Sequence, residues 1–132
     1  MKKEYIVPAG CEVLYNEWHF SPAVKVGNQV WLSGQVGVDK NLVPGVGMTE
    51  QAELLFANVK EVLEAAGATL EDIIEINTYH TDLRGESAEF SAVKDKYIPN
   101  NFPAWSAFEV TKLALDELLV EARIFAIIGC GQ

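Results

Sequence analysis

The chain has 132 residues, enough for one hydrophobic core, and its 10 Lys and Arg against 19 Asp and Glu leave a net charge of −9. That balance argues against tracking a phosphate backbone, so no nucleic-acid partner is expected. With 49% hydrophobic residues and aromatics spread along its length, the chain reads as one folded domain over 1–132 and not as a disordered segment.

No run approaches the length of a membrane span, and Met1-Lys2-Lys3-Glu4-Tyr5 lacks the apolar core of a signal peptide. No membrane partner and a cytoplasmic location are therefore expected. Cys11 and Cys130 lie near opposite ends with no CxxC, and free thiols are the default, a disulfide the alternative. His19 and His80 have no ligand-like spacing to them, so no metal is expected.

Residues 1–20 read as irregular, with a Tyr15, Trp18 and Phe20 aromatic cluster. Ala23–Val26, the turn Gly27-Asn28 and Gln29–Val36 predict a hairpin. In its second strand Val30, Leu32, Gly34 and Val36 would share one face, and Gln29, Trp31, Ser33 and Gln35 the other. Residues 38–48 carry Pro44, Gly45 and Gly47 and read as a loop. Thr49 is the expected N-cap of a helix whose stripe is Ala52, Leu55, Phe56, Val59, Val62, Leu63 and Ala66, with Gly67 as its stop. Ile73–Thr81 reads as a strand with Ile74, Ile76 and Thr78 on its less polar face. A second helix is expected over roughly Ser87–Ile98, ended by Pro99, with Phe90, Val93, Tyr97 and Ile98 inward. Ala104–Leu113 and Leu118–Ile128 complete the order β-β-α-β-α-β-β, an α+β chain with both helices on one face of one sheet.

The last of these stretches, LLVEARIFAII, is the most informative. Leu118, Val120, Ala122, Ile124, Ala126 and Ile128 form one wholly apolar face. The other face is apolar except for Glu121 and Arg123. A carboxylate in such a setting is either a structural ion pair or a working acid or base. Two helices cover only one face of the sheet. The other would carry Trp31, Ser33, Gln35, Trp105, Ala107, Glu109, Glu121, Arg123 and Phe125, a poor solvated surface, so further copies of the chain are its expected cover. Clefts between copies are natural ligand sites.

Ser21-Pro22-Ala23-Val24-Lys25-Val26-Gly27-Asn28 with Ser33-Gly34-Gln35 resembles the N-terminal signature of the RidA (YjgF, reactive-intermediate deaminase, L-PSP endoribonuclease-like) family. Gly67-Ala68-Thr69-Leu70-Glu71-Asp72-Ile73, Tyr79-His80-Thr81-Asp82-Leu83, Phe102-Pro103-Ala104-Trp105-Ser106 and Leu119-Val120-Glu121-Ala122 resemble its middle and end. The resemblance implies a chorismate-mutase-like α+β fold, a homotrimer, and a small-molecule ligand in clefts between subunits. It implies cofactor-free hydrolysis of reactive enamines and imines, a deaminase activity; some relatives carry a ribonuclease label.

Carried over residue by residue, Ser33 and Gly34 match the family's pocket serine and glycine, and Glu121 the glutamate that handles the attacking water. Three positions depart from the pattern. Trp105 stands where deaminating members carry a carboxylate-clamping arginine, Phe20 replaces a tyrosine, and Ala107 replaces a common cysteine. An indole cannot replace a bidentate arginine. The expected substrate therefore differs from amino-acid-derived imines, and a non-catalytic sensing trimer is the alternative. By strand parity Ser33, Trp105 and Glu121 should share the open face and meet Phe20 and Gly34 at a subunit boundary. Ser33 is expected to donate to a ligand, Trp105 to stack on one or pack between subunits, and Arg123 to form an ion pair or supply a missing charge.

Overall fold

The computed structural model describes residues 1–131; Gln132, the last residue of the expected domain, lies outside them. Seven strands form one mixed sheet in the order β1-β2-β3-β7-β5-β6, with β4 also pairing β7. They are β1 (Glu4–Ile6), β2 (Ala23–Val26), β3 (Gln29–Leu32), β4 (Gln35–Val36), β5 (Ile73–His80), β6 (Ala104–Glu109) and β7 (Val120–Ile127). Two long helices, α2 (Met48–Ala66) and α3 (Leu83–Tyr97), pack on the same face, and a short α1 (Glu12–Asn16) precedes β2. This is the α+β architecture expected. The core lies between that face and the helices. Val30, Ile76, Ile124 and Ala126 from the sheet meet Leu55, Phe56, Val59 and Phe90, all essentially buried. The Phe56 and Phe90 rings, 5.7 Å apart, join the two helices.

β7 is the antiparallel partner of β3, β4 and β5. Its alternation is clean: Val120, Ala122, Ile124 and Ala126 are buried under the helices, and Glu121, Arg123, Phe125 and Ile127 face away. The β2–β3 hairpin turns at Gly27-Asn28 as expected, with Val26 opposite Gln29. α3 links β5 to β6 in parallel, which is what a helical crossover permits.

Several sequence-based expectations are corrected. Residues 1–20 are not all irregular, because Glu4–Ile6 pairs with β2 and Glu12–Asn16 forms a turn of helix. Both are too short to show a period. α2 begins at Met48 with Gly47, not Thr49, at its N-cap, and the Thr49 hydroxyl instead donates to Glu89 at 3.2 Å. α3 begins at Leu83, ahead of Gly85, because Asp82 caps it by accepting from the Gly85 N–H at 3.2 Å. A Cβ on Gly85 would sit 2.2 Å from the Asp82 carboxylate, so this glycine admits the cap and does not break the helix.

Two strand irregularities matter more. β3 and β4 are not one strand. Trp31 pairs Phe125 but Gln35 pairs Ala122, so the register slips by one residue across Ser33-Gly34. Val36 therefore sits beside Glu121 on the open face, and Gln35 turns inward, where it is nearly buried. In β5 a shift between Ile73 and Glu75 buries Ile73 and turns Ile74 outward, reversing the expected face of Ile74.

Candidate functional site

Glu121 is placed by β7 and framed by its register partners, Val36 on β4 and Tyr79 on β5. Tyr79 stacks on Phe108 of β6, ring centroids 5.7 Å apart. The open face thus carries the row Val36, Glu121, Tyr79, Phe108. The carboxylate lies against Gly34: a Cβ there would fall 2.2 Å from Glu121 Oε2. Only a glycine at the slip between β3 and β4 leaves space for that carboxylate. Among the described residues the ion pairs are Lys94–Asp95 and Lys96–Glu53, so Glu121 is not paired with Arg123. Burial alone pushes the Glu121 carboxyl above its ordinary value. A carboxyl that holds its proton more tightly than usual is suited both to give and to take one.

Gly34 also lines a pocket of about 190 Å³, together with Phe20, Cys11, Leu14, Asn58 and Lys40. The Asn58 side chain steadies its wall by donating to the Val36 and Val38 carbonyls, both at 3.0 Å. Ser33 is beside this group, but its hydroxyl donates to the Ser21 carbonyl at 2.6 Å and its N–H to Pro22 at 2.9 Å. Within the single chain the proton expected to go to a ligand is used by the Ser21 carbonyl, and the Ser33 oxygen keeps a lone pair to offer. It shapes the loop that lets Gly34 meet Glu121.

Trp105 and Ala107 lie elsewhere. Trp105 is in register with Ile76 and Ala107 with Thr78, both buried residues of the helix face. The parity that put Trp105, Ala107 and Glu109 on the open face is therefore corrected, since β6 is parallel to β5 and no pattern within β6 fixes that register. The Trp105 indole N–H donates to Thr78 Oγ1 at 2.9 Å, and its ring lies 6.0 Å from Phe90 of α3. Glu109 is exposed but does not line the open face; it accepts from the Leu83 N–H at 3.1 Å, at the positive end of α3. Arg123 is exposed on the open face opposite Asn77. Within one chain, Phe20, Ser33, Gly34 and Glu121 are neighbours of one loop, and Trp105 and Ala107 are not among them. Val36, Tyr79 and Phe108 were not singled out as site residues from the sequence; the register slip hid the place of Val36, and no residue pattern set the other two beside Glu121.

The sequence pattern of the family described as Endoribonuclease L-PSP matches residues 12–128. The RutC family protein YjgH of Escherichia coli is 35% identical over 127 residues, covering 94% of this chain and 97% of that one. The chain belongs to the RidA/YjgF family. A solved structure of protein YJGH superposes with a TM-score of 0.88 at 32% identity, over 97% of this chain and 98% of that one. A 2-iminobutanoate/2-iminopropanoate deaminase from Capra hircus is 35% identical over 100 residues, 71% of this chain and 69% of its own. E. coli TdcF with bound serine superposes with a TM-score of 0.77 at 28% identity, over 82% of this chain and 87% of that one. The RidA/YjgF fold thus accounts for the sheet and the helices together.

Proposed function

We propose that this RidA/YjgF chain is an enamine or imine deaminase that uses Glu121 and no cofactor. The observation that carries the reading is a part-buried carboxyl, in no ion pair among the described residues and fitted against Gly34. Water adds to the C=N carbon as Glu121 takes one of its protons. That proton passes to the nitrogen, giving a carbinolamine; Glu121 then takes the hydroxyl proton and returns it to the amino group as the C–N bond breaks and the C=O forms, so that ammonia leaves a carbonyl product. The deaminase named among the relatives supports this reading. Trp105 in place of the clamping arginine supports a substrate other than the small amino-acid-derived imines.

The working unit is proposed to be a homotrimer with its ligand clefts between subunits, so that Trp105 and Ala107 of one copy meet Phe20, Ser33, Gly34 and Glu121 of another. Its motive is the open face, where Trp31 and Phe108 remain 37% and 48% exposed in a single chain. Light scattering is expected to give three times the 14.5 kDa chain mass; a monomer at micromolar concentration would sink the trimer. RNA cleavage is not expected at a net charge of −9. The test of the chemistry is keto-acid or ammonia release from a panel of enzymatically generated imines, with wild type and Glu121→Gln. Release that is unchanged in Glu121→Gln would refute the role of the carboxyl. No release from any imine would favour a ligand-binding trimer.

A further inference from the structure

β4 is only Gln35–Val36, and its ladder with β7 is two pairs, Gln35 with Ala122 and Val36 with Glu121. Those pairs are one residue out of step with the β3 ladder, where Trp31 meets Phe125. A one-residue slip exchanges the two faces of a strand. Undoing this one would set Gln35, not Val36, beside Glu121 and draw Gly34 away from the carboxylate. Two pairs are too few to hold such a slip by themselves, so something outside the sheet has to hold it.

α2 supplies two amides for this. Gln51 and Asn58 lie seven residues apart on it, which is two turns of one face and a rigid rise of about 10 Å. Asn58 donates to the carbonyls of Val36 and Val38, both at 3.0 Å. Gln51 is 1% exposed. It donates to the carbonyls of Gly45 at 3.0 Å and Glu117 at 2.7 Å, and it accepts the Leu119 N–H at 2.8 Å. Leu119 stands directly before β7. Gly45 leads back to β4, because its N–H donates to the Gly37 carbonyl at 2.9 Å. Gly37 itself lies on the helix: a Cβ there would fall 2.2 Å from the main-chain oxygen of Gln51. The exit of β4 and the entry of β7 are therefore both tied to Gln51. Each NH₂ group has two protons, and in both residues the two go to main-chain carbonyls.

We propose that Gln51 and Asn58 are positioning residues for Glu121: from α2 they hold β4 in its slipped register against β7 and so keep the Glu121 carboxyl against Gly34. Their bonds end on main-chain groups of the two strands and the segments beside them, so they act on the site through the chain and not on a ligand. Only the effect on hydrolysis rests on the deaminase reading; the place of the carboxyl does not.

The test is a carbon-13 titration of the Glu121 carboxyl, its resonance assigned by its loss in Glu121→Gln, run beside the imine assay. Wild type is expected to titrate above the ordinary glutamate value, as burial dictates. Gln51→Met and Asn58→Leu keep the bulk and remove the hydrogen bonds. Each is expected to move that titration back toward the ordinary value and to lower kcat about ten- to a hundredfold with KM little changed. Placed in Glu121→Gln, each is expected to cost no further activity, while its effect on the unfolding midpoint stays the same. A purely structural amide would lower activity by one factor with or without the carboxyl. That equal factor would overturn the proposal, and so would a Glu121 titration unmoved in either folded variant. Should Gln51→Met fail to fold, Asn58→Leu, at a part-buried position, decides by the same readings. Should wild type hydrolyse no imine, the deaminase reading fails and the titration alone decides the positioning, so the two failures are separable.

Discussion

Glu121 and Lys94 are both charged groups drawn into the protein, and the fold treats them in opposite ways. Glu121 lies on the open face against the bare backbone of Gly34, in no ion pair among the described residues, and burial makes its proton harder to lose. Lys94 lies under the edge of the helix layer with a carboxylate, two rings and a hydrogen-bonded wall around it. An unpaired buried acid is poised to exchange a proton. A surrounded cation is held in place and has only its free donors to offer. The lesson is that burial alone does not define a catalytic group; what is left unsatisfied decides whether it reacts or binds.

The contrast can be broken at Glu121 first. Glu121→Gln keeps the size and removes the titration, and is expected to lower imine hydrolysis about 10²–10⁴-fold in the keto-acid assay. A smaller loss follows from Gly34→Ala, whose new Cβ would collide with Oε2 and displace the carboxylate. Roughly a hundredfold lower kcat, with the chain still folded by circular dichroism, is the expected result. A serine at this position that retained full activity would show that the close approach is incidental.

On the other side of the comparison, Thr78→Val removes the acceptor of the Trp105 N–H and the partner of His80 Nε2 at a buried position. Two polar groups are then left unpaired, and urea unfolding is expected to show a loss of about 1–3 kcal/mol for each that stays dry. The smallest effect concerns pH. Because the Glu121 carboxyl is raised in the folded state, the folded chain binds that proton more tightly than the unfolded one. The stability it contributes is fully present below the unfolded carboxyl pKa and is lost as pH rises through the folded one. Unfolding midpoints from pH 4 to 7 should therefore fall less steeply in Glu121→Gln than in wild type. His80 has the reverse sign: burial lowers its pKa, so its contribution is present above the ordinary histidine value and is lost as pH falls through the folded one.

The alternation of β7, the stripe of α2 and the Gly27-Asn28 turn were all legible in the order of residues. They depend on local periods and on turn chemistry, which a sequence states directly. Legible too were the resemblance of its motifs and the placing of Glu121 and Arg123 as the two charges on an otherwise apolar strand face. What only the tertiary structure decided is register. The slip across Ser33-Gly34 and the parallel pairing of β6 with β5 are properties of two strands at once, so neither is written in either strand alone. That is why Val36 came to Glu121, Trp105 left the open face, and Lys94, an ordinary helix lysine in the sequence, was brought against the ring of Trp105.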